Sequence, residues 1–219
     1  MKLSLRSLLY DLIFQDKCPI CKNKSYWRYS PFCLNCWNEI KPLPNFKITT
    51  GKFHQEFWKY IDSLYCFSLY EGTIKEVIHY FKYCKTKRLG RELGKLLIEI
   101  SPPVLDILIP VPLYKKKIKQ REFNQSAILA KELSKKWKVK LELEVLVKIK
   151  DTADQASLDS NQRKINIKNA YYLKKEVKNL NIGLIDDVVT TGSTLLECAK
   201  VLKRGGAKSI HAFTLARAV

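Results

Sequence analysis

Two adjacent carboxylates, Asp186 and Asp187, end an apolar run that begins at Ile182. Val188, Val189 and a turn of small residues, Thr190-Thr191-Gly192-Ser193-Thr194, follow them. A turn of this kind leading into a helix can aim successive backbone N–H groups and hydroxyls at a phosphate, and the helix N-terminus adds positive potential. Gly192 lets the backbone approach a ligand closely. The carboxylates would be repelled by the phosphate itself, so they must face neutral hydroxyls or a cation; ribose hydroxyls and a Mg²⁺-bound substrate meet both needs. An ordinary strand-to-helix turn capped by Ser193 would leave the paired acids and the Thr-rich turn unexplained.

Two further groups could do chemistry. Cys18/Cys21 and Cys33/Cys36 are Cys-x-x-Cys pairs separated by eleven residues. Four thiolates around a tetrahedral, structural Zn²⁺ is the expected site, and the metal would supply folding energy that so short a module lacks. An iron–sulfur cluster or redox thiols are the alternatives. Neighbouring Lys22, Lys24, Tyr26, Trp27, Arg28, Tyr29 and Trp37 could meet nucleic acid, or the two tryptophans could pack a small core. The other group is basic: Lys115, Lys116, Lys117, Lys119 and Arg121, with Asn124 and Gln125, follow an apolar strand and could meet an anionic ligand at its end. By contrast, Gly90 to Leu96 resembles a P-loop but is one residue short, lacks Ser/Thr after Lys95 and follows no strand; it reads as helix.

Alternating elements must position these groups. Leu64 to Tyr70 has strand composition and leads into a helical pattern through Val77, Ile78 and Phe81, with a second helix over Gly90 to Ile100. Ile107 to Val111 is a strand, followed by a basic loop and a helix from Ser126 to Trp137. Ile182 to Val188, Ser193 to Lys203 and Ser209 to Leu215 repeat the order strand, helix, strand. Such repetition predicts a parallel sheet covered on both faces, with its ligand-collecting loops on one edge. Lys41-Pro42-Leu43-Pro44 punctuates the chain, which places a cysteine module at 1–44 and the larger domain at 45–219.

Forty Lys/Arg stand against twenty-one Asp/Glu, a formal charge of +19. Polyanions are natural partners for such a chain, although a lysine-rich surface alone gives the same composition. Between Pro112 and Lys150 the balance is twelve Lys/Arg to four Asp/Glu. Seven cysteines, an odd number, argue against a disulfide framework; Cys66, Cys84 and Cys198 read as small buried hydrophobes. No apolar run reaches the ~18 residues of a membrane span, so a cytoplasmic protein is expected. Leu5, Leu8, Leu9, Leu12 and Ile13 recur at helical spacing beside Lys2 and Arg6, and that stripe either touches a membrane surface peripherally or packs on the protein itself. Asp11 argues against a signal peptide.

The stretch from Asp186 to Thr194 resembles the phosphoribosyl-pyrophosphate signature of type I phosphoribosyltransferases. Pro110-Val111-Pro112 and Arg121-Glu122-Phe123-Asn124-Gln125 resemble the Pro-Val-Pro and Arg-Gly-Phe-Asn-Gln signature of the ComF (ComFC) family, with Glu122 at the usual glycine. Thr152, Gln155, Leu158, Arg163 and Asn166 match another ComF-like segment, ahead of Ala170-Tyr171, that would form a flap. The order of these motifs is similar to ComF proteins over nearly the whole chain, residues 45–62 excepted.

The resemblance implies an α/β fold: a type I phosphoribosyltransferase-like parallel sheet flanked by helices, with a small N-terminal four-cysteine zinc module. It implies that Asp186 and Asp187 hold the ribose hydroxyls as catalytic residues, and that the stretch from Val188 to Thr194 binds phosphoribosyl pyrophosphate, with residues 190–194 cradling the 5′-phosphate. Lys115, Lys116, Lys117, Lys119, Arg121, Asn124, Gln125 and Arg163 would then serve pyrophosphate or DNA phosphates. It also implies a role in natural transformation with single-stranded DNA, a competence helicase and an inner-membrane uptake channel as partners. Two function classes stay open. One is a DNA-uptake protein that binds phosphoribosyl pyrophosphate, Mg²⁺ and DNA. The other is a phosphoribosyltransferase whose nitrogen nucleophile displaces pyrophosphate from the ribose C1; a plain salvage enzyme would not require the zinc module.

Overall fold

The sheet that carries the acid pair is built around four central strands buried on both faces. In the computed structural model, which describes residues 17–23, 31–48, 53–84, 86–152 and 167–218, β1 (Lys47–Ile48) pairs antiparallel with β2 (Ser63–Leu69). Parallel pairing then continues through β8 (Ser209–Arg217), β7 (Asn181–Val189), β3 (Ile107–Pro110) and β4 (Lys140–Leu141), so the order is β1-β2-β8-β7-β3-β4. A separate antiparallel pair joins β5 (Leu146–Lys148) to β6 (Tyr171–Leu173). Residues 1–16, Lys24, Tyr26, Trp27, Arg28, Tyr29, Gln155, Leu158, Arg163 and Asn166 lie outside the described residues.

Near-continuous apolar sequence in the parallel strands requires cover on both sides. On one side α3 (Gly72–Tyr83), α4 (Lys87–Leu97) and α6 (Gln125–Trp137) bury Val77, Phe81, Leu89, Leu93, Leu129 and Leu133 against Phe67, Leu108, Ile185 and Phe213. On the other, α2 (Gln55–Tyr60) and α7 (Ser193–Arg204) set Phe57, Leu195 and Leu202 against Leu64, Ile182, Leu184 and Ile210. The cysteine module adds to the first of these cores. Cys18, Phe32, Cys36 and Ile40 belong to it, and Phe32 meets Tyr80 of α3 edge-on at 5.2 Å. The short helix α1 (Leu34–Asn38) carries Cys36. No helix among the described residues is long and apolar enough to cross a membrane.

Two sequence expectations are corrected. The basic segment after β3 is not a loop but α5 (Lys115–Arg121), because Lys, Gln and Arg are good helix formers; it buries no residue. Cys84 is exposed rather than buried, since it lies just past the end of α3, beyond the apolar face of that helix.

Glu122 ends α5 with φ +67°, in the left-handed region. That is the position where the ComF-like motif has glycine, and a side chain there carries a strain of about 1 kcal/mol or more. Glu122→Gly is therefore expected to raise stability by roughly 1 kcal/mol, allowing for glycine's greater chain entropy. Chemical denaturation would read this, and a neutral or destabilising result would mean that the interactions of the Glu122 side chain outweigh the strain.

Candidate functional site

β7 lies between β3 and β8, so its C-terminal end opens at the middle of the sheet edge. Asp186 and Asp187 take different partners, both from helices that cover the same side of the sheet. The Asp186 carboxylate accepts from Ser126 Oγ at 2.9 Å and from the Asp187 backbone N–H at 2.9 Å. Asp187 pairs with Lys82 Nζ of α3 at 3.0 Å, and these side chains are only 11% and 21% exposed. Burial, and then the neighbouring Asp187 charge, push the Asp186 carboxyl up to about 7. Burial opposes the charge on Lys82, but Asp187 outweighs it and holds the ammonium above its usual pKa.

A carboxyl whose folded pKa exceeds its unfolded value takes up protons on folding, so its contribution is present at low pH and lost as pH rises through the folded value. Asp186 should thus weaken the fold between pH 5 and pH 8. Asp186→Asn is expected to gain stability relative to the parent across that range, on the order of a few kcal/mol in total. Denaturation curves at the two pH values test this; a pH-independent difference would show that Asp186 is already ionised at pH 5.

The turn after the acids is shaped by its own contacts. Gly192 is the N-cap of α7 at φ +77°, and Thr191 Oγ1 lies 2.9 Å from Ser193 Oγ. A Cβ at Gly192 would sit 2.8 Å from the Phe57 ring and 3.0 Å from Phe53. The glycine thus answers to aromatic packing from residues 53–57, a region that carried no motif, as well as to its dihedral angle.

A cleft of about 470 Å³ lies over this edge, within the range of small-molecule sites. Asp186, Asp187, Val188, Thr190 and Thr194 line it, whereas the Val189 side chain is buried in the core. Of the basic group, Lys117, Arg121 and Gln125 reach the cleft. Lys115, Lys116 and Lys119 stay exposed on α5, with Lys116 3.5 Å from Asp151. Asn124 serves the backbone instead, its amide donating to the Val111 carbonyl at 2.9 Å and its oxygen capping α6 at Ser126 N. Sequence reasoning missed Lys82, Ser126 and Lys148, because no local motif marks them. Lys148 is nearly buried at the cleft, 5.6 Å from the Tyr171 ring centroid, and burial followed by the Lys117 charge lowers its pKa. Among the described residues, two buried polar atoms on the cleft, Gln125 Nε2 and Thr152 Oγ1, have no hydrogen-bond partner. Their residues are 1% and 4% exposed. Buried polar groups are normally satisfied, so both atoms have hydrogen-bonding capacity left over from the described residues.

The second site is the cysteine cluster. Cys18, Cys21, Cys33 and Cys36 place their Sγ atoms within 4.8 Å of one another, with Cys21 and Cys33 3.5 Å apart. The first pair is folded into a knuckle by Lys22 N–H donating to the Cys18 carbonyl at 2.9 Å and by Cys18 N–H donating to Asn23 at 2.8 Å. Burial, reinforced by the neighbouring thiols, drives the Cys36 pKa upward. Four thiolates so close need a cation, and the set could hold a metal ion.

A phosphoribosyl transferase domain model matches residues 124–218, the segment that runs from Asn124 through the acid pair and its turn. The chain is 31% identical over 156 residues to the DNA utilization protein YhgH of Salmonella typhi, covering 68% of this chain and 69% of that one. Competence protein F of Haemophilus influenzae is 28% identical, over 94% of this chain and 98% of its own. Competence protein ComFC of Bacillus subtilis is 30% identical over 68% of this chain and 61% of its own.

Proposed function

This chain belongs to the ComF/ComFC family of competence and DNA-utilization proteins, and from that premise we propose that it acts in DNA uptake, binding phosphoribosyl pyrophosphate with Mg²⁺ and single-stranded DNA. The observation that carries the reading is the meeting of Asp186, Asp187, Thr190 and Thr194 in one cleft with Lys117 and Arg121. Acids suited to ribose hydroxyls, a turn suited to a 5′-phosphate and cations suited to a pyrophosphate lie within the reach of one ligand. Mg²⁺ would arrive on the pyrophosphate, since Asp187 already has a cationic partner in Lys82. A Zn²⁺ held by Cys18, Cys21, Cys33 and Cys36 would brace the module against α3. The protein would work in the cytoplasm, where a competence helicase and the inner-membrane uptake channel would pass it single strands.

Thermal melting tests the small-ligand half. Phosphoribosyl pyrophosphate with Mg²⁺ at a hundred times its Kd should stabilise the fold by about 2.7 kcal/mol, and should do so less without Mg²⁺. No shift at millimolar ligand would reject this reading. Release of pyrophosphate on adding a nitrogenous base would favour a transferase instead.

The DNA half is read from salt dependence. Each phosphate neutralised contributes about −0.7 to the slope of log affinity against log salt on single strands. Replacing Lys115, Lys116, Lys117 and Lys119 with Gln should flatten the slope by up to about 3 units while preserving the fold, because α5 buries nothing. An unchanged slope would move the DNA path to another surface.

A further inference from the structure

Two helices wall the mouth of the cleft. From α3, Lys75, His79 and Tyr83 line it at i, i+4 and i+8, one row along a single helix face; from α5, Lys117 and Arg121 line it at i and i+4. The walls touch where the Arg121 guanidinium carbon lies 5.4 Å from the centroid of the Tyr83 ring. The His79 ring leans on the same tyrosine, its centroid 4.7 Å away and its plane inclined by 44°. Despite both contacts Tyr83 remains 51% exposed. It has no part in the core, since the apolar face of α3 is filled by Ile74, Val77, Ile78 and Phe81.

An open aromatic ring, braced by a second ring and a planar cation and flanked by lysines, is a combination that charge alone does not require. Lysines hold a polyanion by its phosphates. An exposed ring adds a surface on which any unpaired base can stack, whatever its identity. The guanidinium is itself flat and stacks on aromatic planes.

We propose that Tyr83, backed by His79 and Arg121, is a stacking platform for an unpaired base of single-stranded DNA, with Lys75 and Lys117 receiving the flanking phosphates. The proposal rests on the DNA-binding half of the function above, and it shares Lys117 and Arg121 with the cleft proposed for the small ligand. It commits to one occupant because the ring stands at the mouth, beside the outward lysines of α5, which a strand would follow.

The test compares two oligomers of twelve nucleotides with identical phosphates, oligo(dT) and its abasic counterpart. The intact protein should bind oligo(dT) about 5- to 150-fold more tightly, the range expected of one stacked base. Tyr83→Ala should remove most of that preference and leave the abasic oligomer unaffected, whereas Tyr83→Trp should keep it. Equal affinities of the intact protein for the two oligomers would overturn the platform, as would an equal loss on both in Tyr83→Ala. A variant that loses only the binding of free adenine would assign the ring to an acceptor base, again against the proposal. Failure to bind either oligomer at low salt would remove the DNA half of the function and the platform with it.

Discussion

Cys33→Ser is expected to abolish stoichiometric zinc binding and to lower the melting temperature sharply. The intact protein should carry about one zinc per chain, since four thiolates complete a closed tetrahedral site. Structural zinc contributes on the order of 10 kcal/mol to folding a small module, and losing one of four ligands forfeits much of that. Here the loss would spread. Cys18, Phe32, Cys36 and Ile40 share a core with Phe67, Ile74 and Val77, and Phe32 packs on Tyr80. A module that unravels uncovers α3, which also supplies Lys82 to Asp187. Soluble yield should therefore fall, and a chelator should bring the intact protein toward the variant. Elemental analysis with melting curves reads both effects. Substoichiometric zinc with visible-range iron absorbance would replace the zinc assignment with an iron–sulfur one, and an unaltered melting temperature would detach the module from the fold's stability.

The second large effect concerns the acids. Asp186→Asn with Asp187→Asn should weaken phosphoribosyl pyrophosphate at least 100-fold and erase its thermal shift, because each charged acceptor for the ribose hydroxyls becomes a neutral amide with one of its two acceptor oxygens replaced by a donor. Binding of free phosphate or sulfate should persist, since the Thr190 to Thr194 turn is untouched. Neutralising Asp187 leaves Lys82 without its partner in a mostly buried place, so Lys82→Met belongs in the same series as a control for stability. Gly192 is a poorer probe than its place in the turn suggests. A larger residue there would meet the Phe57 ring and a left-handed dihedral, and its failure would report folding before phosphate entry. A double variant that melts normally and still shifts with the ligand would remove the acid pair from the site.

Much of this arrangement was legible beforehand because its signals are local. Two acids, a Thr-rich turn and a glycine act through consecutive backbone groups, so adjacency in the chain is adjacency in space. The Cys-x-x-Cys pairs work in the same way, each closing one knuckle. Period-2 and period-3.6 patterns located the strands and helices, and repeated strand–helix order foretold the parallel sheet.

Other features depend on contacts between distant segments. Lys82 meets Asp187 across more than a hundred residues, and Ser126 reaches Asp186 across sixty; neither pairing leaves a mark in its own neighbourhood. Asn124, grouped by its motif with phosphate ligands, is turned instead to capping α6 and holding Val111. Of the consecutive lysines after β3, helical geometry sends Lys117 toward the cleft and Lys115 and Lys116 away from it. The chemistry available to this chain was thus written in its short motifs. Which groups share the cleft, which are buried enough to change their ionisation and which remain on the surface followed only from packing, because burial and long-range pairing are properties of the folded neighbourhood and have no local counterpart along the chain.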